Sequence, residues 1–316
     1  MAKSTGNNQL RVGVIGMGPV GSILAAHLLD AGAFVVPCDV DREKINMIKK
    51  AGIRLEHTIQ KEVEAAEVCY SADELEKYDP DLVAVSVKAP SLEKVLTRLS
   101  EKASERTFVM CVQNGLDNER EVAKVFGEDR TLRMVVNFAG GMTAPNTVHV
   151  TFFNPPNYIA ALTAQGRATA SKIAGLLNSV KLQTEVVDNI RDYVWEKVIL
   201  NAALSPVCAI TRLTMKVVMD SPHGLELVKA IIDESVRIAG AEGIKFGKDF
   251  RQFCIKYLKG GGYHRPSMLV DLEGGLQTEI DRLNGKIAEY GSKHNLPTPY
   301  NHAITAFVHM LEKSAE

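Results

Sequence analysis

The stretch LRVGVIGMGPVGSILAAHLLDAGAFVVPCD, Leu10–Asp39, sets the architecture of the first half of the chain. It opens with a short apolar run, Leu10–Ile15, and passes through the cluster Gly16-Met17-Gly18-Pro19-Val20-Gly21. A helical pattern follows over Val20–Ala31, and a second apolar run, Phe34–Cys38, ends at Asp39. Strand, glycine turn, helix and strand in that order make a nucleotide-binding βαβ unit. Gly16 permits the tight turn, Gly18 lets backbone approach a pyrophosphate, and Gly21 lets the helix close on the sheet. Phosphates favour the helix N-terminus, where N–H groups lack intrahelical partners and the dipole is positive. Gly16, Met17, Gly18, Pro19, Val20 and Gly21 are therefore expected to line a dinucleotide. The alternative is a glycine turn without a ligand, and the flanking strand, helix and acid argue against it.

That acid is Asp39, 18 residues beyond Gly21. A carboxylate there can accept from both ribose hydroxyls of NAD and repels the 2′-phosphate of NADP. Arg42 pulls the other way, because a guanidinium just past the strand can pair with that phosphate. The balance leans to NADH.

Working outward, further strand-like runs occur at Glu67–Ser71, Leu82–Val87, Thr107–Val112 and Leu132–Phe138. Helix-like segments, Glu93–Ala103 and Asp117–Phe126, lie between them. Near-continuous apolar strands alternating with helices predict a mostly parallel, doubly wound sheet covered on both faces. Val148–Phe153, Tyr158–Leu162 and Gln183–Val187 read as added strands with antiparallel connections around Asn154–Asn157. From Asp188 onward the spacing is helical, over Tyr193–Leu204, Gly224–Ala241, Asp249–Leu258, Met268–Lys293 and Asn301–Lys313. The expectation is an α/β Rossmann domain over residues 1–188 and an all-α domain over 189–316.

Composition narrows the partners. With 316 residues, 46% hydrophobic and 24% charged, the chain has the make-up of a globular protein, and its formal net charge is −1. That balance argues against nucleic-acid or anionic-membrane partners, which select for excess Lys and Arg. No uncharged run approaches the roughly 18 residues of a membrane helix, and Met1–Gln9 has no targeting character. Five scattered cysteines without a CxxC pair suit a reducing cytoplasm. Eight dispersed histidines, without HExxH or a Cys/His cluster, predict no metal site.

Several polar residues stand where chemistry is plausible. Lys88 follows the fourth run and Asn114 the fifth, and ligands of open α/β sheets lie beyond the carboxyl ends of strands. Both are candidates for the nicotinamide end; the bland alternatives are a solvated loop charge and an Asn-Gly turn. In Trp195–Pro206, Lys197, Asn201 and Ser205 are spaced i, i+4, i+8 and share one face of a strongly apolar helix. A protonated Lys suits reduction of a 2-oxo acid, attracting the carboxylate and giving a proton as hydride arrives. Asn201 could orient the substrate or the Lys. The same face equally suits a snorkelling Lys with local hydrogen-bonders. Further on, Arg265–Asp271 reads as a helix start. Ser267 and Glu279, 12 residues apart, are about 120° apart on a helix, so a common site needs a bend near Gly274-Gly275. On spacing alone, Glu279 reads as a surface or interhelical carboxylate.

Taken together these pieces resemble the ketopantoate reductase (2-dehydropantoate 2-reductase) family over nearly the whole chain. The matching motifs are GMGPVG, Val87-Lys88, Gln113-Asn114-Gly115, WEKVILNA, Ser267-Met268-Leu269 and TEIDRLNG. The resemblance implies NAD(P)H-dependent reduction of ketopantoate to pantoate, in pantothenate and coenzyme A biosynthesis, with NADPH the usual family cofactor. It implies Lys197 as general acid and Glu279 as a catalytic-site residue binding a substrate hydroxyl. Asn114, Asn201, Ser205 and Ser267 would serve the substrate, and Asn114 also the cofactor. It implies a helical domain like that of 6-phosphogluconate dehydrogenase, and suggests a homodimer. Related possibilities are reduction of another 2-oxo acid, opine-type dehydrogenation, or dinucleotide sensing without turnover; a sensor has no need of a general acid. The chain departs from the family in having Ser205 for a second Asn, Leu276 for an Arg, and Asp39 for a neutral or basic residue. The first two bear on the substrate, the third on the cofactor.

Overall fold

The computed structural model describes residues 9–313. The chain forms two compact units, one of Met1–Gln113 with Asn118–Ile190, the other of Asn114–Asp117 with Arg191–Glu316. The short excursion at Asn114–Asp117 is a detour that one boundary near residue 188 does not contain.

The first unit is built on a seven-stranded sheet. Its strands are β1 (Arg11–Ile15), β2 (Phe34–Cys38), β5 (Leu82–Val85), β6 (Phe108–Cys111), β7 (Thr131–Val135), β10 (Asn157–Ala161) and β11 (Thr184–Val186). They are ordered β2-β1-β5-β6-β7-β10-β11. The first five run parallel; β10 lies antiparallel to β7 and parallel to β11. Successive residues serve opposite faces: Val12, Val14, Leu82, Ala84 and Met110 enter one core, and Ile15, Val83, Val85, Val109 and Cys111 the other. A strand buried on both faces has no polar positions to spare, which explains the near-continuous apolar runs.

A second sheet, in the order β4-β3-β9-β8, is formed by β3 (Ile53–His57), β4 (Lys61–Val63), β8 (Phe138–Ala144) and β9 (Thr147–Phe153). The sequence reading lacked β3, β4 and β8, and placed none of these residues in a separate sheet. β3 alternates buried Ile53 and Leu55 with exposed Arg54, too short a pattern to stand out, and β8 carries Gly140 and Gly141. Conversely, Glu67–Ser71 is no strand; Cys69 alone bridges Cys38.

Helix α1 (Pro19–Asp30) explains why two sheets are needed. All of Gly21–Leu28 is buried, and Ile23, Leu24 and Leu28 share one core with Val12 and Val14 of the large sheet and Leu55, Val148 and Val150 of the small one. A helix apolar all round must be covered all round. The remaining helices here are α2 (Arg42–Ala51), α3 (Leu92–Ser100), α4 (Asn118–Phe126) and α5 (Arg167–Ser179).

The second unit consists of α6 (Ile190–Thr211), α7 (Met215–Asp220), α8 (Pro222–Ala241), α9 (Phe250–Lys259), α10 (Ser267–Glu273), α11 (Asn284–Lys293) and α12 (Pro299–Lys313). A buried polar network ties four of them together. Asn284 of α11 donates from Nδ2 to the Ala202 carbonyl of α6 and to Asn301 Oδ1 of α12, both at 3.0 Å. Glu234 of α8 accepts from the Tyr300 and Asn301 amides and from Asn301 Nδ2, at 3.0, 3.0 and 2.8 Å. Helix α6 is long and apolar enough to cross a membrane, yet 67% of its apolar window is buried in the protein. The continuous helix expected over Met268–Lys293 is broken. α10 ends at Glu273, Gly275 takes φ +65°, and Leu276 N–H donates back to the Asp271 carbonyl. The Gly274-Gly275 pair, costly inside a helix, supplies that stop.

His27 carries a pH signature of this packing. Burial in α1 pushes its imidazole down to about 4 despite the Nδ1 hydrogen bond to the Ile23 carbonyl. The unfolded chain takes up a proton near 6.5 that the folded chain refuses, so stability is full above that pH and declines towards 4. We expect His27 to contribute about 2 kcal/mol of lost stability between pH 7 and pH 5. Urea midpoints should show it in the wild type and not in His27→Leu; parallel pH profiles for the two would assign the loss elsewhere.

Candidate active site

The glycine loop is shaped by contacts that exclude side chains. Gly16 takes φ +93°, and a Cβ there would stand 2.7 Å from the Val87 amide nitrogen. A Cβ on Gly21 would stand 2.0 Å from the Gly16 carbonyl oxygen and 2.4 Å from Ser86 Oγ. Ser86, just beyond β5, fixes the turn by directing its hydroxyl to the Ile15 and Gly16 carbonyls, at 2.9 and 2.7 Å. Gly18 differs, because a Cβ on it would meet no protein atom within 4 Å. The protein itself does not demand glycine there, which fits a position kept bare for a ligand. Gly18 is also the N-cap of α1, which has no capping side chain, Pro19 in its first turn and no acid there. Together with the buried Met17 and the half-buried Val20, this cradle suits a pyrophosphate.

Asp39 proves to be part of the loop's scaffold. Its Oδ2 accepts the Met17 amide at 2.7 Å, and its Oδ1 accepts the Asp41 amide at 3.0 Å. Each carboxylate oxygen keeps further lone-pair capacity, so ribose hydroxyls are still compatible with it. Lys44, which the sequence reading overlooked, brings its Nζ to 3.5 Å from Asp39 Oδ2. The signal was available, since Lys44 lies on the first turn of α2. Arg42 is exposed, with its guanidinium 5.1 Å from the centre of the Tyr70 ring. Lys88 is exposed just past β5, its carbonyl accepting the Ser91 amide at 2.9 Å. Gln113, beyond β6, is buried with neither end of its side-chain amide hydrogen-bonded. Such a group is expensive to leave unpaired, at about 1–3 kcal/mol, and it favours a polar ligand at this strand end.

In the helical unit, Lys197, Asn201 and Ser205 follow one another at four-residue spacing along α6. Val198–Leu200, Ala202–Leu204 and Pro206–Ala209 are buried, whereas Lys197, Asn201 and Ser205 are each half-buried. Within Val198–Ala209, Asn201 and Ser205 occupy the breaks in an otherwise buried apolar run.

The segment Asn114–Asp117 packs into this same unit. Asn114 Nδ2 donates to Glu279 Oε2 at 3.4 Å, and Leu116 N–H donates to the Arg282 carbonyl at 2.9 Å. Glu279, expected from spacing alone to be a surface or interhelical carboxylate, is buried, just ahead of the short 3₁₀ turn Ile280–Arg282. Ser267 is exposed at the start of α10, and Val270 and Gly274 lie exposed one and two turns along. Among the described residues no group of His, Cys, Asp and Glu could hold a metal ion.

Known proteins share this plan. A family model described as ketopantoate reductase PanE/ApbA matches residues 12–163, and one described as ketopantoate reductase PanE/ApbA C terminal matches residues 189–312. The chain is 28% identical over 301 residues to a 2-dehydropantoate 2-reductase of Aquifex aeolicus, covering 93% of this chain and 94% of that protein. Among solved structures, D-mandelate dehydrogenase in a ternary structure with NADH and anilino(oxo)acetate superposes with a TM-score of 0.87 at 26% identity, over 97% of this chain and 99% of that one. A PanE/ApbA family ketopantoate reductase from Ralstonia eutropha JMP134 has the same fold, with a TM-score of 0.87 at 24% identity over 97% and 99% of the two chains. With both halves matched in order, the chain belongs to the ketopantoate reductase family of NAD(P)-dependent oxidoreductases acting on a CH–OH group.

Proposed function

We propose that the protein reduces ketopantoate to pantoate, with the dinucleotide on the Gly16–Gly21 cradle and the substrate served by α6, Asn114 and Glu279. The observation that carries the reading is the Asn114–Glu279 pair in the unit that also presents Lys197, Asn201 and Ser205 on one face of α6. The dinucleotide, when bound, supplies the hydride. Lys197 Nζ, as an ammonium, attracts the substrate carboxylate and gives its proton to the ketone oxygen as negative charge develops there. Asn201 orients the Lys or the substrate, and Ser205 lies one turn further along the same face. Glu279 accepts a substrate hydroxyl, with Asn114 holding its carboxylate, and Ser267 donates at the mouth of α10. Asp39, and a neighbour whose structure holds NADH, lead us to NADH as the favoured cofactor. Arg42 is assigned to the adenosine pocket, where it would pair with the 2′-phosphate of NADPH, and Lys88 to the nicotinamide end. A homodimer in the cytoplasm, without nucleic-acid or membrane partners, completes the proposal.

A second reading has its own support. Leu276 is 58% exposed and Val270 52% exposed, and Val270 shares an exposed helix face with Ser267. Apolar groups there, and the likeness to D-mandelate dehydrogenase, favour a 2-oxo acid with an apolar side chain.

Loss of 340 nm absorbance with ketopantoate, and with a panel of apolar 2-oxo acids, separates the two readings. The preferred reading expects ketopantoate to give the highest kcat/KM, and a higher value for phenylglyoxylate would select the second. Lys197→Ala should lower kcat by about 10²–10⁴-fold while dinucleotide titration is unchanged; full turnover in that variant would remove Lys197 from the mechanism. Asp39→Asn removes the nearer of the two carboxylates beside Lys44, leaving Asp41 Oδ2 at 3.8 Å, and should move the NADPH/NADH ratio of kcat/KM towards NADPH by about tenfold. An unmoved ratio would mean that Asp39 serves the loop alone.

A further inference from the structure

Asn114 follows a strand of the Rossmann sheet, a place for the nicotinamide end, whereas the family resemblance implies that it serves the substrate as well as the cofactor. The contacts of its neighbours bear on that ambiguity. Asp117, three residues on, is buried and accepts the Tyr290 hydroxyl at 2.8 Å on Oδ1 and 3.1 Å on Oδ2. Lys286 Nζ stands 3.3 Å from Asp117 Oδ2 and also donates to Glu289 at 2.8 Å. Tyr290 and Lys286 are one turn apart on α11, so a single helix face grips the carboxylate. The Tyr290 ring in turn packs on Trp195 of α6, centroids 5.7 Å apart, two residues before Lys197.

The backbone between Asn114 and Asp117 has little freedom to adjust. Gly115 has φ +102° and Asp117 φ +65°. A Cβ on Gly115 would stand 2.5 Å from Arg282 Cβ and 2.8 Å from its carbonyl oxygen, and the Leu116 amide bonds to that same carbonyl. Four residues are thus clamped at their far end by Asp117 and along their length by Arg282, with Asn114 left to meet Glu279. Glu279 is three residues before Arg282, so both partners of the Asn114–Glu279 bond are referenced to one short stretch of chain.

We propose that Asp117, gripped by Tyr290 and Lys286, is a positioning residue that fixes Asn114 against Glu279, making Asn114 a substrate ligand carried by the helical unit. This rests on the proposed 2-oxo acid reduction only for the role of Asn114 and Glu279; the clamp itself is independent of it. Without the Tyr290 hydroxyl the far anchor keeps only Lys286 of the two described grips, and the Asn114 amide holds a looser bearing on the carboxylate.

Tyr290→Phe keeps the ring against Trp195, and Lys286→Met keeps the aliphatic stem, so each variant removes mainly the grip on Asp117. We expect each to raise KM for the 2-oxo acid about tenfold, with kcat and the dinucleotide Kd changed less than about threefold. Hydrogen exchange of the peptide spanning residues 114–117, measured on the full-length protein, should accelerate about tenfold in the same variants. A lowered melting temperature with KM and exchange both unmoved would reduce the cluster to a structural role. A raised dinucleotide Kd with unmoved KM would return Asn114 to the cofactor. If the wild type turns over no 2-oxo acid, the proposed function fails, and the exchange measurement alone decides the clamp: acceleration upholds it and unchanged exchange overturns it.

Discussion

The first unit depends on a backbone approach that only glycine permits, the meeting of α1 with the loop after β1 at Gly16 and Gly21. Because Gly21 has no Cβ, α1 can lie against the strand ends, and because Gly16 takes a left-handed turn, the chain can enter that helix at once. The rest of the unit follows from the depth at which this places α1. A helix sunk so far has no face left for water, so it needs apolar residues all round and a second sheet over its outer side. The small sheet is therefore the cover of the helix behind the glycine turn. Its strands come from two distant parts of the chain, β3 and β4 after α2, β8 and β9 after β7.

What could be read from the sequence divides along a physical line. Features set by local pattern were legible: the glycine turn, the parallel strands of the large sheet, the helices after residue 188, and the polar face of α6. Features set by partners distant in sequence were not. β3 and β4 are short and half-solvated, so their strand character comes from pairing, β4 with β3 and β3 with β9, rather than from their own composition. Glu67–Ser71 has the apolar character of a strand but makes a single bridge. Helical spacing after Met268 carried across Gly274-Gly275, although that pair was noticed as the place for a bend. Lys44 went unremarked because nothing local says that its ammonium comes to lie beside Asp39.

Carboxylates illustrate the same division. Asp39 and Glu279 are both named by motif, yet their surroundings give them different work. Asp39, expected to meet ribose hydroxyls, also accepts two backbone amides and stiffens the glycine loop. Glu279 has the opposite character: it is buried, and Asn114, remote in sequence, donates to it. A spacing argument assigns neither environment, because it contains no information about which amides or amide side chains converge on an acid.

The excursion of Asn114–Asp117 has a consequence for how the protein is made. The partners of this segment lie 165 residues further on at Glu279 and 173 further on at Tyr290. On a ribosome emitting about 5–20 residues per second, the segment is synthesised many seconds before these two partners. The sheet around it can assemble from residues already available, but the bonds from Asn114, Leu116 and Asp117 to Glu279, Arg282 and Tyr290 can form only once α11 emerges. Their two left-handed residues and the buried charge of Asp117 are poor material for any other arrangement, so the wait leaves few competing structures. The final arrangement of this segment thereby waits on the C-terminal helices.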